Sequence, residues 1–243
     1  FAPVAGRTAH LVRDGRGHGD RMAGAAEDRR DRLGEGPLWS ARENAVYWVD
    51  LLERRLNRVS LADDAVASWE MPDVIGWAIE REDAPGFVAG IGRRFVTLML
   101  DPVRISTIAA PEEDRPGNRV NDAKADAAGR IWGGTMPFGC DVPSGNFYRL
   151  DPDGTLTRVD SGYTIANGPA IPASGDFLLH TDTAEATIYR YTVRSDGALA
   201  DRTPFIRFEE SWGNPDGMTF DAEGGLWVAC WGGGCVRRFT PDG

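Results

Sequence analysis

The chain has 243 residues, with 27 basic against 37 acidic side chains, a formal charge of −10 and a sequence pI near 4.8. That balance argues against nucleic acid or an anionic membrane surface as a partner, because both need a positive face. Hydrophobic residues at 42% and charged residues at 26% describe an ordinary globular chain, and 30 glycines with 15 prolines call for many turns, as all-β folds do.

Residues 1–32 are rich in Arg, Gly and Ala and lack sustained alternation of apolar and polar residues. They are expected to be an atypical, poorly ordered N-terminal extension, with no apolar segment of the secretory type. No run approaches the roughly 18 apolar residues of a transmembrane helix. Cys140, Cys230 and Cys235 make neither an even disulfide framework nor a CxxC pair. Free thiols in a reducing cytoplasm are therefore the expectation.

From Leu33 onward a unit repeats: an apolar stretch, a turn rich in Asp, Gly, Asn or Ser, then an aromatic or aliphatic strand. Its instances are GPLWSARENAVYWVD, WAIEREDAPGFVAGI, DAKADAAGRIWGGTM, GPAIPASGDFLLHTD and DGMTFDAEGGLWVAC. The residues that open the second strand are Tyr47, Phe87, Ile131, Phe177 and Leu226, at spacings of 40, 44, 46 and 49. A period in the forties with several short strands per unit predicts a β-propeller. RRLNRVSL, FVTLML, NFYRLD and TIYRYTV are expected to be outer strands. Only 17 residues follow Leu226, whereas a further unit needs about 45. The expected architecture is one propeller domain over 33–243, truncated with its last blade incomplete or missing.

In a propeller the innermost strands converge on one axis, so polar residues recurring before those strands can meet. Glu35 in LGEGPLW, Asn121-Asp122 in NRVNDAKAD, Asn167 in IANGPAI and Asp216 in NPDGMTF hold such positions. Singly, Asn-Gly and Asp-Gly are turn formers, since both residues tolerate positive φ. In register with the repeat they form an oxygen-rich set suited to a hard divalent cation. Arg119 offers a fork of donors for hydroxyls or a developing oxyanion, or else a salt bridge to Asp122 or a neighbouring blade. His180 is expected to be a packed histidine and Asp182 to orient a loop or ligand. Trp132 and Trp227 are expected between blades, and Trp77 to line the pocket. Gly232-Gly233-Gly234 is no phosphate cradle, because no helix follows it.

Taken together, LGEGPLW, RVNDAKADAAGRIWGGTM, ANGPAI with HTDT, and NPDGMTFDAEGGLWVACWGGG resemble the SMP-30/gluconolactonase/regucalcin family. Within it they are most similar to bacterial sugar lactonases such as xylonolactonase. The resemblance implies a six-bladed propeller that binds one divalent metal ion (Ca²⁺, Zn²⁺, Fe²⁺, Mn²⁺ or Mg²⁺) and hydrolyses an aldono-1,4- or 1,5-lactone to the aldonic acid. It implies Glu35, Asn167 and Asp216 as metal ligands, and Arg119 and Asn121 as substrate contacts. Asp216 has a second expected role, taking the proton of the attacking water. An acidic residue that follows GTM in some relatives has no match in Pro137-Phe138-Gly139-Cys140. The expected partner is a small sugar lactone, with no obligate protein partner. The alternatives are a non-enzymatic Ca²⁺-binding or protein-binding propeller, and a propeller hydrolase of phosphotriesters or other lactones.

Overall fold

The structure is a computed structural model that describes residues 30–243. All but the last three residues of the extension drawn over 1–32 lie outside the described residues. Five antiparallel sheets follow one another along the chain. The first holds β1 (Gly34–Ser40), β2 (Ala45–Asp50), β3 (Arg55–Ser60) and β4 (Val66–Glu70). The second holds β5 (Ile75–Glu80), β6 (Phe87–Ile91), β7 (Arg94–Leu100) and β8 (Val103–Ala109). The third holds β9 (Asn118–Ala125), β10 (Ile131–Pro137), β11 (Gly145–Leu150) and β12 (Leu156–Tyr163). The fourth holds β13 (Ala166–Ala170), β14 (Phe177–Asp182), β15 (Thr187–Val193) and β16 (Leu199–Arg207). The fifth has three strands, β17 (Asn214–Phe220), β18 (Leu226–Trp231) and β19 (Cys235–Phe239).

Within each sheet the strands pair in chain order, as a meander. The first strands β1, β5, β9, β13 and β17 each contact the next, so they are the inner strands around a common axis. The core lies between successive sheets rather than within any one of them. Tyr47, Leu56, Ile75 and Phe87 join the first two sheets, and Trp77, Phe95, Val120 and Ile131 join the second to the third. Trp132, Phe147, Tyr163 and Leu178 join the third to the fourth, while Leu179, Ile188, Met218 and Val228 join the fourth to the fifth.

The repeat therefore produces the propeller it predicts, with five sheets rather than six among the described residues, the fifth holding three strands. The five second strands are those found by the repeat, and four of them open on the residues aligned: Phe87, Ile131, Phe177 and Leu226. Two tryptophan expectations need correction. Trp132 is fully buried, but Trp227 is 42% exposed because no described sheet covers the outer face of the fifth. Both indoles donate to the aspartate that shapes the preceding turn, Trp132 to Asp126 at 2.9 Å and Trp227 to Asp221 at 2.8 Å. Trp77 is 1% exposed and packs edge-on against Phe95, so it belongs to the core and not to a pocket wall.

His180 is packed as expected. It is fully buried on β14, stacked on Phe147 with ring centroids 3.8 Å apart, and neither ring nitrogen has a hydrogen-bond partner. Burial pushes it down to about 3, with Asp160 opposing and Arg202 adding. It therefore stays neutral in the folded chain, while the unfolded chain protonates it below about 6.5. Stability is free of this penalty above that pH and falls as pH drops towards 3, by about 1.4 kcal/mol per pH unit. Urea unfolding at pH 7, 6 and 5 should show a steeper loss for the wild-type chain than for His180→Phe. Parallel curves would mean that the imidazole is not held neutral.

Candidate functional site

Each inner strand carries one residue more than the strand it pairs with, and the excess falls at the same place in all five sheets. On β1 the register jumps between Glu35 and Leu38, on β5 between Ile75 and Trp77, and on β13 between Asn167 and Ala170. On β17 it jumps between Pro215 and Met218, and β9 slips against β10 over Asn121-Asp122. A bulge leaves its extra residue unpaired and re-aims the neighbouring side chains. Glu35 and Asn167 stand immediately before their bulges, whereas Asn121, Asp122 and Asp216 stand inside theirs. The bulge of β5 contains only Gly76, whose Cβ would meet Asn121 O at 2.3 Å, so the second sheet approaches closely there and offers no donor. Gly36 and Gly168, at φ +54° and +76°, provide the left-handed turns beside Glu35 and Asn167.

Two aspartates fix the chain as it enters this ring. Asp50 accepts from the backbone N–H groups of Arg32 at 2.9 Å and Leu33 at 3.2 Å, just ahead of Glu35. Asp182 accepts from Thr164 at 2.9 Å and Ile165 at 3.1 Å, just ahead of Asn167. The expected orienting role of Asp182 takes this form, and Asp50 repeats it in the first sheet.

The side chains then connect across sheets. Asn121 Nδ2 donates to Asn167 Oδ1 at 2.7 Å and to Ala166 O at 2.6 Å. Asn167 Nδ2 donates to Thr183 Oγ1 at 2.8 Å, and Thr183 spends its own proton on Pro215 O at 2.7 Å. That relay fixes which end of the Asn167 amide is oxygen, and it ties the fourth sheet to the residue preceding Asp216. Asp122 Oδ2 accepts from Gly168 N at 3.0 Å. In a regular strand the adjacent Asn121 and Asp122 would point to opposite faces; the bulge lets both reach β13.

Arg119 is 7% exposed, and its Nη1 donates to Asn121 Oδ1 at 2.5 Å and Val120 O at 3.1 Å. The alternative of a salt bridge to Asp122 is not what forms. The guanidinium lies 5.9 Å from the ring of Phe138, which is half exposed and lies in the stretch that follows GTM.

Three carboxylates gather here against this one guanidinium. Glu35 is pushed up to about 8, first by burial and then by Asp216 and Asp122, with Arg119 opposing. Asp122 rises to about 6 through burial, with Asp216 adding and Lys124 opposing. Burial also raises Asp216, against the Gly217 N–H and Arg119. Such a cluster is short of positive charge, and buried charges need pairing or a metal. Glu35 and Asp216 with the Asn167 amide oxygen form an all-oxygen donor set fit for a hard divalent cation. Among the described residues no group of three or more His, Cys, Asp and Glu side chains is placed to hold a metal, so this donor set includes the amide. Asn167 Oδ1 has a second lone pair beyond the one that accepts from Asn121.

Consecutive small antiparallel sheets around an axis, with bulges that gather carboxylates and amides at the inner strands, define a β-propeller with an oxygen-rich channel. Residues 33–243 match the family described as SMP-30/gluconolactonase/LRE-like region. The chain belongs to that family. It is 38% identical over 221 residues to pentonolactonase XacC of Haloferax volcanii, covering 89% of this chain and 72% of that protein. To the 6-deoxy-6-sulfogluconolactonase of Pseudomonas putida it is 32% identical over 212 residues, covering 87% and 72%. Among solved structures, the calcium-binding protein regucalcin of Agrobacterium tumefaciens superposes with a TM-score of 0.82 at 27% identity, covering 87% of this chain and 72% of that one.

Proposed function

We propose that the chain hydrolyses a sugar lactone, an aldono-1,4- or 1,5-lactone, to the aldonic acid, and that one divalent cation is held by Glu35, Asn167 and Asp216. The observation that carries this reading is the convergence of Glu35 and Asp216 on a buried guanidinium, beside an amide whose oxygen is set by Thr183. The names of the pentonolactonase and sulfogluconolactonase relatives agree with it.

A lactone ester is already activated, so the site has to bind it, polarise its carbonyl and direct water. The cation, when bound, acts as a Lewis acid on the carbonyl and lowers the pKa of water. Arg119 uses Nη1 on the backbone and Asn121, which leaves Nη2 and Nε to donate to lactone oxygens. Asn121 is held between Arg119 and Asn167, so it transmits the position of one to the other. Asp216 has one oxygen engaged by the Gly217 N–H at 2.8 Å, and its other oxygen takes the water proton. As water adds to the carbonyl carbon, the ring C–O bond breaks. The proton then passes to the departing ring oxygen, which becomes a sugar hydroxyl. The same reading takes the chain as cytoplasmic, with no nucleic-acid, membrane or obligate protein partner. No helix among the described residues is long and apolar enough to cross a membrane.

A stripped-and-reloaded assay tests it. Acid release from xylono-, arabinono- and glucono-lactone should vanish after EDTA treatment and return with one or more of Ca²⁺, Mn²⁺, Fe²⁺, Zn²⁺ or Mg²⁺. Cation binding without turnover on any lactone would favour instead a non-enzymatic binding propeller, the reading suggested by the calcium-binding description of the regucalcin neighbour. Turnover confined to phosphotriesters would move the substrate class and keep the site.

A further inference from the structure

Away from the channel, two thiols face each other across the last hairpin. Cys230 on β18 is the direct register partner of Cys235 on β19. Directly opposed residues of an antiparallel pair have Cα atoms about 4.5–5.5 Å apart and side chains on the same face. That separation lies within the span of about 4.4–6.8 Å that a disulfide bridges. Burial, and after it the neighbouring Cys235 thiol, pushes the Cys230 thiol up, and Cys230 Sγ donates to Val228 O at 3.7 Å. Their exposures are complementary: Cys235 is exposed to solvent and Cys230 is 6% exposed. Cys140, the remaining free thiol among the described residues, follows β10 in another sheet. In the connection Trp231–Gly234, Gly232 and Gly234 have positive φ and open space where a Cβ would stand, while Gly233 packs against Trp212 O and donates to Cys230 O at 2.9 Å.

We propose that Cys230 and Cys235 are a built disulfide site, in which Cys235 meets the oxidant and Cys230 resolves it. With hydrogen peroxide, the Cys235 thiolate attacks one oxygen, breaks the O–O bond and becomes a sulfenic acid as hydroxide leaves. Cys230 then attacks that sulfur, the S–O bond breaks and a second hydroxide leaves. Protons from the two thiols turn both hydroxides into water. Two thiols are oxidised by two electrons, and one peroxide is reduced. The product staples β18 to β19 in the sheet whose inner strand is β17. The sequence pattern hides this pair, because CWGGGC is neither CxxC nor a long-range framework; the hairpin register brings the two cysteines together.

The test counts thiols. After hydrogen peroxide treatment of the folded chain and denaturation, the three free thiols should fall to one, with the intact mass lower by two hydrogens. Chymotryptic cleavage after Trp231 should leave the Cys230 and Cys235 peptides joined until dithiothreitol is added. Cys140→Ser should lose both remaining thiols in the same way. Cys235→Ser should keep the Cys230 thiol reduced over the same exposure, whatever happens to Cys140. If Cys235 instead proceeds to sulfinic acid while Cys230 stays titratable, or if the cross-link joins separate chains, the proposal is wrong.

Discussion

Replacing Glu35 or Asp216 by alanine should abolish tight cation binding and lower kcat/KM for lactone hydrolysis about a thousandfold, roughly 4 kcal/mol of transition-state stabilisation. Each substitution removes one of only two charged donors in the proposed set, and the one carboxylate left with the amide oxygen of Asn167 is too small a donor set to hold a hard divalent ion tightly. The same logic sets the sign of a second measurement. In the metal-stripped chain, Glu35, Asp122 and Asp216 repel one another with Arg119 as the nearby guanidinium. Glu35→Gln should therefore melt no lower than wild type without metal, and should gain far less than wild type when metal is added, since stabilisation by a ligand follows its affinity. Isothermal titration and melting with and without the cation read both effects. A Glu35→Ala chain that still binds the cation tightly and turns over would move the site away from the inner-strand ring.

The axis was legible because the repeat is written in turn chemistry and alternation. Asp126 and Asp221 open matching turns, DAAGRIW and DAEGGLW, and each binds the tryptophan six residues on. Glu35, Asn167 and Asp216 could be picked out because each interrupts an apolar pattern at the same place in its repeat. The bulges that turn them inward were not legible. A bulge is a mismatch between two strands, and neither strand carries it alone: Asn121-Asp122 looks like any polar dipeptide until β10 is laid beside β9 with one residue fewer. How Asp122 joins Asn121 at β13 follows from this, since strict alternation would send the two to opposite faces. Trp227 and Trp77 fail for a related reason, because burial depends on which sheet lies next and not on the local motif. The Thr183 relay escaped as well, although HTDT holds a run of polar residues where a buried strand should be apolar.

Glu112 should prove to be among the most sensitive positions outside the ring. Its carboxylate is 1% exposed and accepts from Asn118 Nδ2 at 2.8 Å, Thr135 Oγ1 at 2.7 Å, Asn146 Nδ2 at 2.5 Å and Tyr148 OH at 3.1 Å. Four donors converge on this one carboxylate, three on Oε1 and one on Oε2. They join the loop before β9 to the third sheet, next to Asn118 and hence to Arg119. Glu112→Ala leaves these buried donors stranded, and each unsatisfied group costs about 1–3 kcal/mol. Because Asn118 and Thr135 keep second partners in Ser144 O and Asn146 O, the sum is not reached, and a loss of about 4 kcal/mol is expected. Glu112→Gln should cost roughly half as much. Its amide oxygen can retain the three donors on Oε1, while its NH₂ meets the Asn118 NH₂, which is turned that way by Ser144 Oγ donating to Asn118 Oδ1. Urea midpoints at constant m-value measure both variants. If the alanine chain lies within about 1 kcal/mol of wild type, the network does not bear the fold of the third sheet. The order Ala below Gln below wild type is what four buried donors on one carboxylate require.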